Sequence, residues 1–256
     1  MFKRYFLKTT ALLMLIVPGL GFAQPPIETD AQSLLSAFVS YTDLRMRSVQ
    51  QNLEILASTS EAKSATWQKM EALLSGYEKS DGDLVVWFVR PDGTYYTVDR
   101  GLMDVKLSDR SYFPKLMSGH EIMGNLVVSK STGLRSAVIA VPMKQGGKVI
   151  GAIGASLFLD KLSDRVGSAL ALRPDAAFFA VAPNGQTTLH KETDRHFLDP
   201  RELGSATLKK AANEMLENPA GETTYEFDKV TKRAIYRTSP LTQWKFAITF
   251  SDARQK

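Results

Sequence analysis

Two short stretches, Phe88-Val-Arg-Pro-Asp-Gly-Thr-Tyr and Phe179-Ala-Val-Ala-Pro-Asn-Gly-Gln, sit at the same place in the two halves of the chain. Each leaves a β-branched and aromatic run, breaks at Pro followed by Asp-Gly or Asn-Gly, and returns as a second strand. Asp or Asn can hydrogen-bond its own backbone and Gly supplies a positive φ, so both stretches predict β-hairpins. The order of elements after each hairpin also repeats, which predicts two similar modules in tandem.

In the first half, strands are expected at 84–89 and 95–98, followed by a short helix capped by Ser108 or Asp109 and closed by Gly119. Three more strands follow at 125–129, 136–143 and 149–158, joined by Ser131-Thr132-Gly133 and Gln145-Gly146-Gly147. A connecting helix over 159–172 leads to the boundary Arg173-Pro174-Asp175. The second half should then give strands at 177–182 and 187–190, a helix over 202–216, and strands at 222–227, 233–238 and 244–250. Each set of five strands makes a small antiparallel sheet.

Ahead of the modules, Leu34, Phe38, Tyr41, Val49, Leu53 and Leu56 fall mostly three or four apart, the spacing of one helical face, with Thr29 or Asp30 as its cap. Ser58 to Ser64 interrupts the pattern, and Trp67, Met70, Leu73, Leu74 and Tyr77 resume it. The fold class is therefore α+β: a long N-terminal helical segment over 24–80, a first module over 81–160, a connector over 161–175 and a second module over 176–256.

Residues 1–23 carry a different signal. Lys3, Arg4 and Lys8 precede an apolar stretch from Thr9 to Val17, and Gly21-Phe22-Ala23 places small residues where a secretory signal is cut. Cleavage after Ala23 is the expectation over an uncleaved anchor, because Lys8 shortens the apolar run below the roughly 20 residues of a spanning helix. The expected location is the periplasm. Losing those three cations takes the formal charge of +5 to +2, so the basic balance belongs mostly to the leader. Without a clustered basic stripe there is no nucleic-acid reading. No cysteine is present, which excludes disulfides, thiolate metal sites and cysteine nucleophiles. After the last strand no second apolar segment follows, so the expectation is that this chain does not itself carry a signal across a membrane.

The chemistry-bearing stretch is Leu107-Ser-Asp-Arg-Ser-Tyr-Phe. Arg110 can grip a carboxylate through two parallel hydrogen bonds, Tyr112 can donate another, and Phe113 supplies an apolar wall. Ser129, Lys130 and Ser156 offer donors from neighbouring strands, and Trp87 is a candidate wall. The competing reading is plain: Arg110 pairs with Asp109 or Asp160, Tyr112 and Phe113 are core, and Trp87, Tyr95 and Tyr96 are core or cross-strand partners. His190 and His196 match no metal-ligand spacing and are expected at the surface, as is His120 beside Glu121. There is no nucleophile elbow and no zinc-protease motif, and no cofactor is expected.

The motif Leu107-Ser-Asp-Arg-Ser-Tyr-Phe, the Ser131-Thr-Gly turn, Ala140-Val-Pro-Met and Gly147-Lys-Val-Ile-Gly-Ala-Ile-Gly-Ala-Ser-Leu-Phe-Leu-Asp together resemble the double Cache, or PDC, extracellular sensor domain of bacterial chemoreceptors, histidine kinases and diguanylate cyclases. Val181-Ala-Pro-Asn-Gly, Gly221 and Pro240-Leu-Thr-Gln-Trp-Lys-Phe are similar to its membrane-proximal half. The resemblance implies a long helix beside two PAS-like modules, with the ligand in the first. It also implies that Arg110 holds a ligand carboxylate, with Tyr112 and Phe113 at the aromatic positions. Two aspartates that hold the ammonium of amino-acid ligands are replaced here by Ser129 and Ser156. An unpaired buried ammonium is expensive, so the expected ligand is a small organic acid without an essential amine.

The resulting expectation is a non-enzymatic, periplasmic, small-molecule-binding sensor that captures an anionic ligand and passes the signal to a separate membrane-bound receptor, kinase or cyclase. The alternative is a protein interaction module that has lost its small ligand, with the long helix as a homodimer surface.

Overall fold

The structure is a computed structural model, and it describes residues 31–251. The leader and the helix cap at Thr29 or Asp30 lie outside that range. The chain opens with α1 (Ala31–Ser58), a one-turn α2 (Ser60–Lys63) and α3 (Trp67–Asp81). The polar interruption has a capping role: Thr59 accepts from the Ala62 amide and starts α2.

The first sheet contains β1 (Leu84–Val89), β2 (Thr94–Thr97), β3 (Gly101–Lys106), β4 (Ile122–Val128), β5 (Arg135–Gln145) and β6 (Lys148–Phe158), in the order β3-β2-β1-β6-β5-β4. Six strands stand where five were expected. The added β3 is an edge strand paired only to β2, mostly solvent-facing, and lacks the buried alternation that marks a strand in sequence. The helix in this module, α4, is shorter than expected, spanning Phe113–Met117; Tyr112 stands at its N-cap without a side-chain hydrogen bond, so neither Ser108 nor Asp109 caps it.

After α5 (Leu159–Leu170), the second sheet is built from β7 (Ala176–Val181), β8 (Thr187–His190), β9 (Ala220–Phe227), β10 (Val230–Thr238) and β11 (Lys245–Ser251). Two 3-10 turns, Thr193–Arg195 and Pro200–Glu202, and α6 (Ala206–Glu217) lie between β8 and β9. The expected helix start at 202 is occupied by the second of these turns, and Ser205 caps α6 through the Leu208 amide.

The repeat is structural as well as sequential. The second sheet runs β8-β7-β11-β10-β9, which is the first sheet without its β3 edge. The two hairpin turns also match bond for bond. Gly93 donates to the Arg90 carbonyl and Gly185 to the Ala182 carbonyl, both at 2.9 Å. The side-chain oxygens of Asp92 and Asn184 accept from Thr94 and Gln186 at 3.0 and 3.1 Å. Gly93 (φ 85°) and Gly185 (φ 94°) adopt the left-handed conformation that the turn requires.

Each sheet has two buried faces. The inner faces pack against α1, whose Leu35, Phe38, Val39, Met46, Val49 and Leu53 are buried. Leu34 and Tyr41, expected on that stripe, lie at its border. Phe38 meets Phe178 and Phe246 edge-on, with centroids 5.2 and 4.7 Å apart, so α1 also packs into the second module. Ion pairs Arg45–Asp81 and Arg165–Asp83 tie α1 to α3 and α5 to the start of β1. The outer face of the first sheet is covered by α4 and the 107–112 loop, and that of the second by α6.

Candidate functional site

The alternation of β1 sends Val86 and Phe88 inward to α1 and turns Trp87 to the outer face. There the indole Nε1 donates to Ser156 Oγ of β6 at 3.2 Å. Gly154 is Trp87's register partner, and a Cβ built on it would fall 2.2 Å from the indole; the glycine is what lets the ring lie flat across the strand. Tyr112 stacks over Trp87 at 6.4 Å, and Phe113 is buried beside it at the start of α4. Four of the expected site residues, Trp87, Tyr112, Phe113 and Ser156, therefore share one outer face. Tyr96 does not join them: it stacks with Trp67 and Phe88 on the inner face.

The remaining three stand where the 107–113 segment crosses the end of β4. Arg110 donates to the Val128 carbonyl at 2.7 Å, and Lys130 Nζ reaches both oxygens of Asp109 at 2.7 and 2.8 Å and the Lys106 carbonyl at 2.6 Å. The competing ion pair of Arg110 with Asp109 or Asp160 is not formed; Lys130 holds Asp109, and Asp160 faces His196. The lysine keeps the Asp109 carboxyl below its ordinary range. Ser129 is buried, with its hydroxyl 3.2 Å from Ser131 Oγ and accepting from the Thr132 amide. It shapes the turn and does not extend toward solvent.

Tyr95 completes the face. It is buried, and its hydroxyl has no hydrogen-bond partner among the described residues. Burial raises the pKa values of Tyr95 and Tyr112, and the positive charge of Arg110 opposes the rise in both. The face thus offers stacked aromatics and two phenols, with Arg110 on the segment that crosses the end of β4 and Asp109 already neutralised by Lys130. Such a set suits a ligand oxyanion better than a ligand ammonium.

Sequence reasoning misplaced two histidines. His196 is 0% exposed: its Nε2 lies 3.0 Å from Ser163 Oγ and its Nδ1 3.0 Å from Asp160 Oδ1, both on α5. The order is that of a hydrolase triad, but Ser163 is 2% exposed and receives the His190 amide at 3.4 Å, so no substrate reaches it. The group joins α5 to the second module, with His196 and Ser163 buried and the Asp160 side chain exposed. His190 is partly buried and lines a cavity of about 150 Å³ in the second module, away from Arg110. Nothing in the polar run from Lys191 to Asp194 signals burial; only the loop's return over β8 creates it.

A long N-terminal helix packed on two similar antiparallel sheets is the architecture the tandem hairpins predict, and the expected aromatic residues share the outer face of the first sheet. The chain belongs to the Cache domain family, whose family model matches residues 22–254. A search of curated protein sequences finds no match. Among solved structures, the fold is similar to an extracellular ligand binding receptor from Desulfohalobium retbaense (TM-score 0.70, 14% identity), covering 87% of this chain and 40% of that one. It is also similar to the sensory domain of the Campylobacter jejuni chemoreceptor Tlp3 with isoleucine bound (TM-score 0.64, 13% identity, 86% and 91% covered). A third is the ligand-binding domain of the Pseudomonas fluorescens chemoreceptor CtaA in complex with L-isoleucine (TM-score 0.65, 13% identity, 85% and 89% covered). No helix among the described residues is long and apolar enough to cross a membrane.

Proposed function

We propose that the chain is a periplasmic sensor protein that captures a small carboxylate in its first module, residues 81–160, and passes the signal to a separate membrane-bound receptor, kinase or cyclase. The observation that carries this reading is the Tyr95 hydroxyl, buried without a partner among the described residues on the face that holds the Trp87–Tyr112 stack. A buried hydroxyl left unpaired costs on the order of 1–3 kcal/mol, and a ligand oxygen held jointly by Tyr95, Tyr112 and Arg110 removes that cost.

Tlp3 and CtaA are both seen with amino acids. In this chain the carboxylate end of such a ligand finds donors, but Ser129 and Ser156 offer no charge to an ammonium. Ser156 is further committed to Trp87 and Ser129 to its own turn. The ligand class is therefore a small organic acid. Calorimetric titration of matched pairs sharing one carbon skeleton, such as 4-methylpentanoate and leucine, tests this: preference for the amine-bearing member refutes it.

A second reading rests on α1, which leaves Leu44 and Ile55 exposed at 67% and 65%. They would serve contact with a receptor or a second copy of the chain. Sedimentation of wild type against Leu44→Glu/Ile55→Glu decides whether this surface self-associates.

A further inference from the structure

The second module's cavity lies between the outer face of its sheet and the loop that follows β8. Phe179, Tyr225 and Thr249 form its floor and Leu203 and Leu208 an apolar wall, while His190, Arg195 and Lys232 stand around it. Its volume of about 150 Å³ equals that of engineered apolar cavities that admit benzene. The lining is not purely apolar, and the polar groups have a consistent sense.

His190 stacks on Phe179 at 6.4 Å, and its Nδ1 accepts the Glu192 amide at 2.8 Å. A neutral ring with Nδ1 accepting carries its proton on Nε2, which is then a donor. Burial, reinforced by the charges of Arg195, His196 and Lys232, lowers its pKa to about 4, so the ring is neutral at pH 7. The Phe227 ring receives the Arg195 guanidinium at 4.7 Å and the Lys232 ammonium at 5.5 Å. Arg195 is balanced by Glu192 at 2.7 Å, whereas Lys232 makes no ion pair among the described residues. The remaining acid on the lining, Asp228, sits in the turn between β9 and β10.

An apolar floor of aromatic rings edged by a neutral imidazole donor and a cation without a carboxylate partner selects for an anion with an apolar body. We propose that this cavity is a second ligand site, independent of the Arg110 site, for a small organic monoanion whose carboxylate meets Lys232 and His190 and whose ring or branched chain lies on Phe179 and Tyr225. The cavity wall from His190 to His196 is also the segment that the Asp160–His196–Ser163 joint fixes to α5.

The test is a titration of the 15N-labelled full chain with benzoate and with benzamidine, its cationic near-isostere, followed by amide chemical shifts. Benzoate should perturb β7, β9, β11 and residues 190–195, and should do so equally in Arg110→Ala. Lys232→Gln should weaken it by about tenfold or more, as expected for loss of one charge-assisted hydrogen bond. Benzamidine should leave those residues unperturbed. The proposal is overturned by benzoate shifts confined to the first module, by their loss in Arg110→Ala, by equal shifts from benzamidine, or by no binding at all. Should Lys232→Gln fail to fold, the wild-type map with its cationic control still decides. A failed first-module reading would leave this result unchanged, because the Arg110→Ala protein carries the comparison.

Discussion

Arg110 donates to the Val128 carbonyl at 2.7 Å while Lys130, two residues after Val128, holds Asp109, the residue before Arg110. These crossed contacts stitch the 107–113 segment to the end of β4. They leave Arg110 without a carboxylate partner among the described residues, while Lys130 and Asp109 satisfy each other. Replacing Arg110 with Ala should weaken binding of a small carboxylate by about 1.5–3 kcal/mol, roughly ten- to a hundredfold. Arg110→Lys should recover only part of this, because an ammonium cannot make the planar two-bond grip. Calorimetric titration of both variants checks it.

Gly154 is required by Trp87. Ala at this position places a Cβ 2.2 Å from the indole, so the ring must shift from its bond to Ser156. Gly154→Ala should cost about 1–3 kcal/mol, the usual range for overpacking. Chemical denaturation with tryptophan fluorescence should show the lower midpoint and a shifted emission maximum in the folded state.

Phe38 joins α1 to the second sheet through two edge-on ring contacts. Phe38→Ala should destabilise the protein by about 3–5 kcal/mol. A loss confined to the second module would appear as a transition that is no longer coincident by far-UV circular dichroism and by tryptophan fluorescence.

Acid should weaken the fold before the carboxylates titrate. Burial lowers the pKa values of both His190, to about 4, and His196. Between the ordinary histidine value near 6.5 and those folded-state values, the unfolded chain binds more protons than the native one. For His190, stability therefore falls as pH drops from about 6.5 toward 4, by up to about 1.4 kcal/mol per pH unit, and His196 contributes a loss of the same sign. Thermal melts from pH 7.5 to 4.5 should show the decline, and His190→Asn should flatten it.

Much of this architecture is legible in the sequence because it is written in hydrophobic period and turn chemistry. The two Pro-Asx-Gly hairpins and the resumption of helical spacing at Trp67 are local signals, and they locate elements within a few residues. The edge strand β3 escapes because Leu102 and Val105 remain exposed and its pairing with β2 is bulged. His196 escapes because its burial depends on α5, thirty-odd residues earlier in the chain, and no local pattern encodes that contact. At the candidate site, the motif placed Arg110, Tyr112 and Phe113 on one segment, but it could not show that Lys130 is spent on Asp109 or that Tyr95 turns its hydroxyl toward the same face.

The central claim is that Arg110 receives the carboxylate of an acid that needs no amine. The direct measurement is a thermal-shift screen of organic acids and their matching amino acids against wild type and Arg110→Ala. A true ligand at a hundredfold excess over its dissociation constant stabilises the native state by about 2.7 kcal/mol. The account predicts such a shift with an organic acid in wild type and its loss in Arg110→Ala. An equal shift in both proteins that also persists in Lys232→Gln, or shifts with amine-bearing ligands alone, would contradict it.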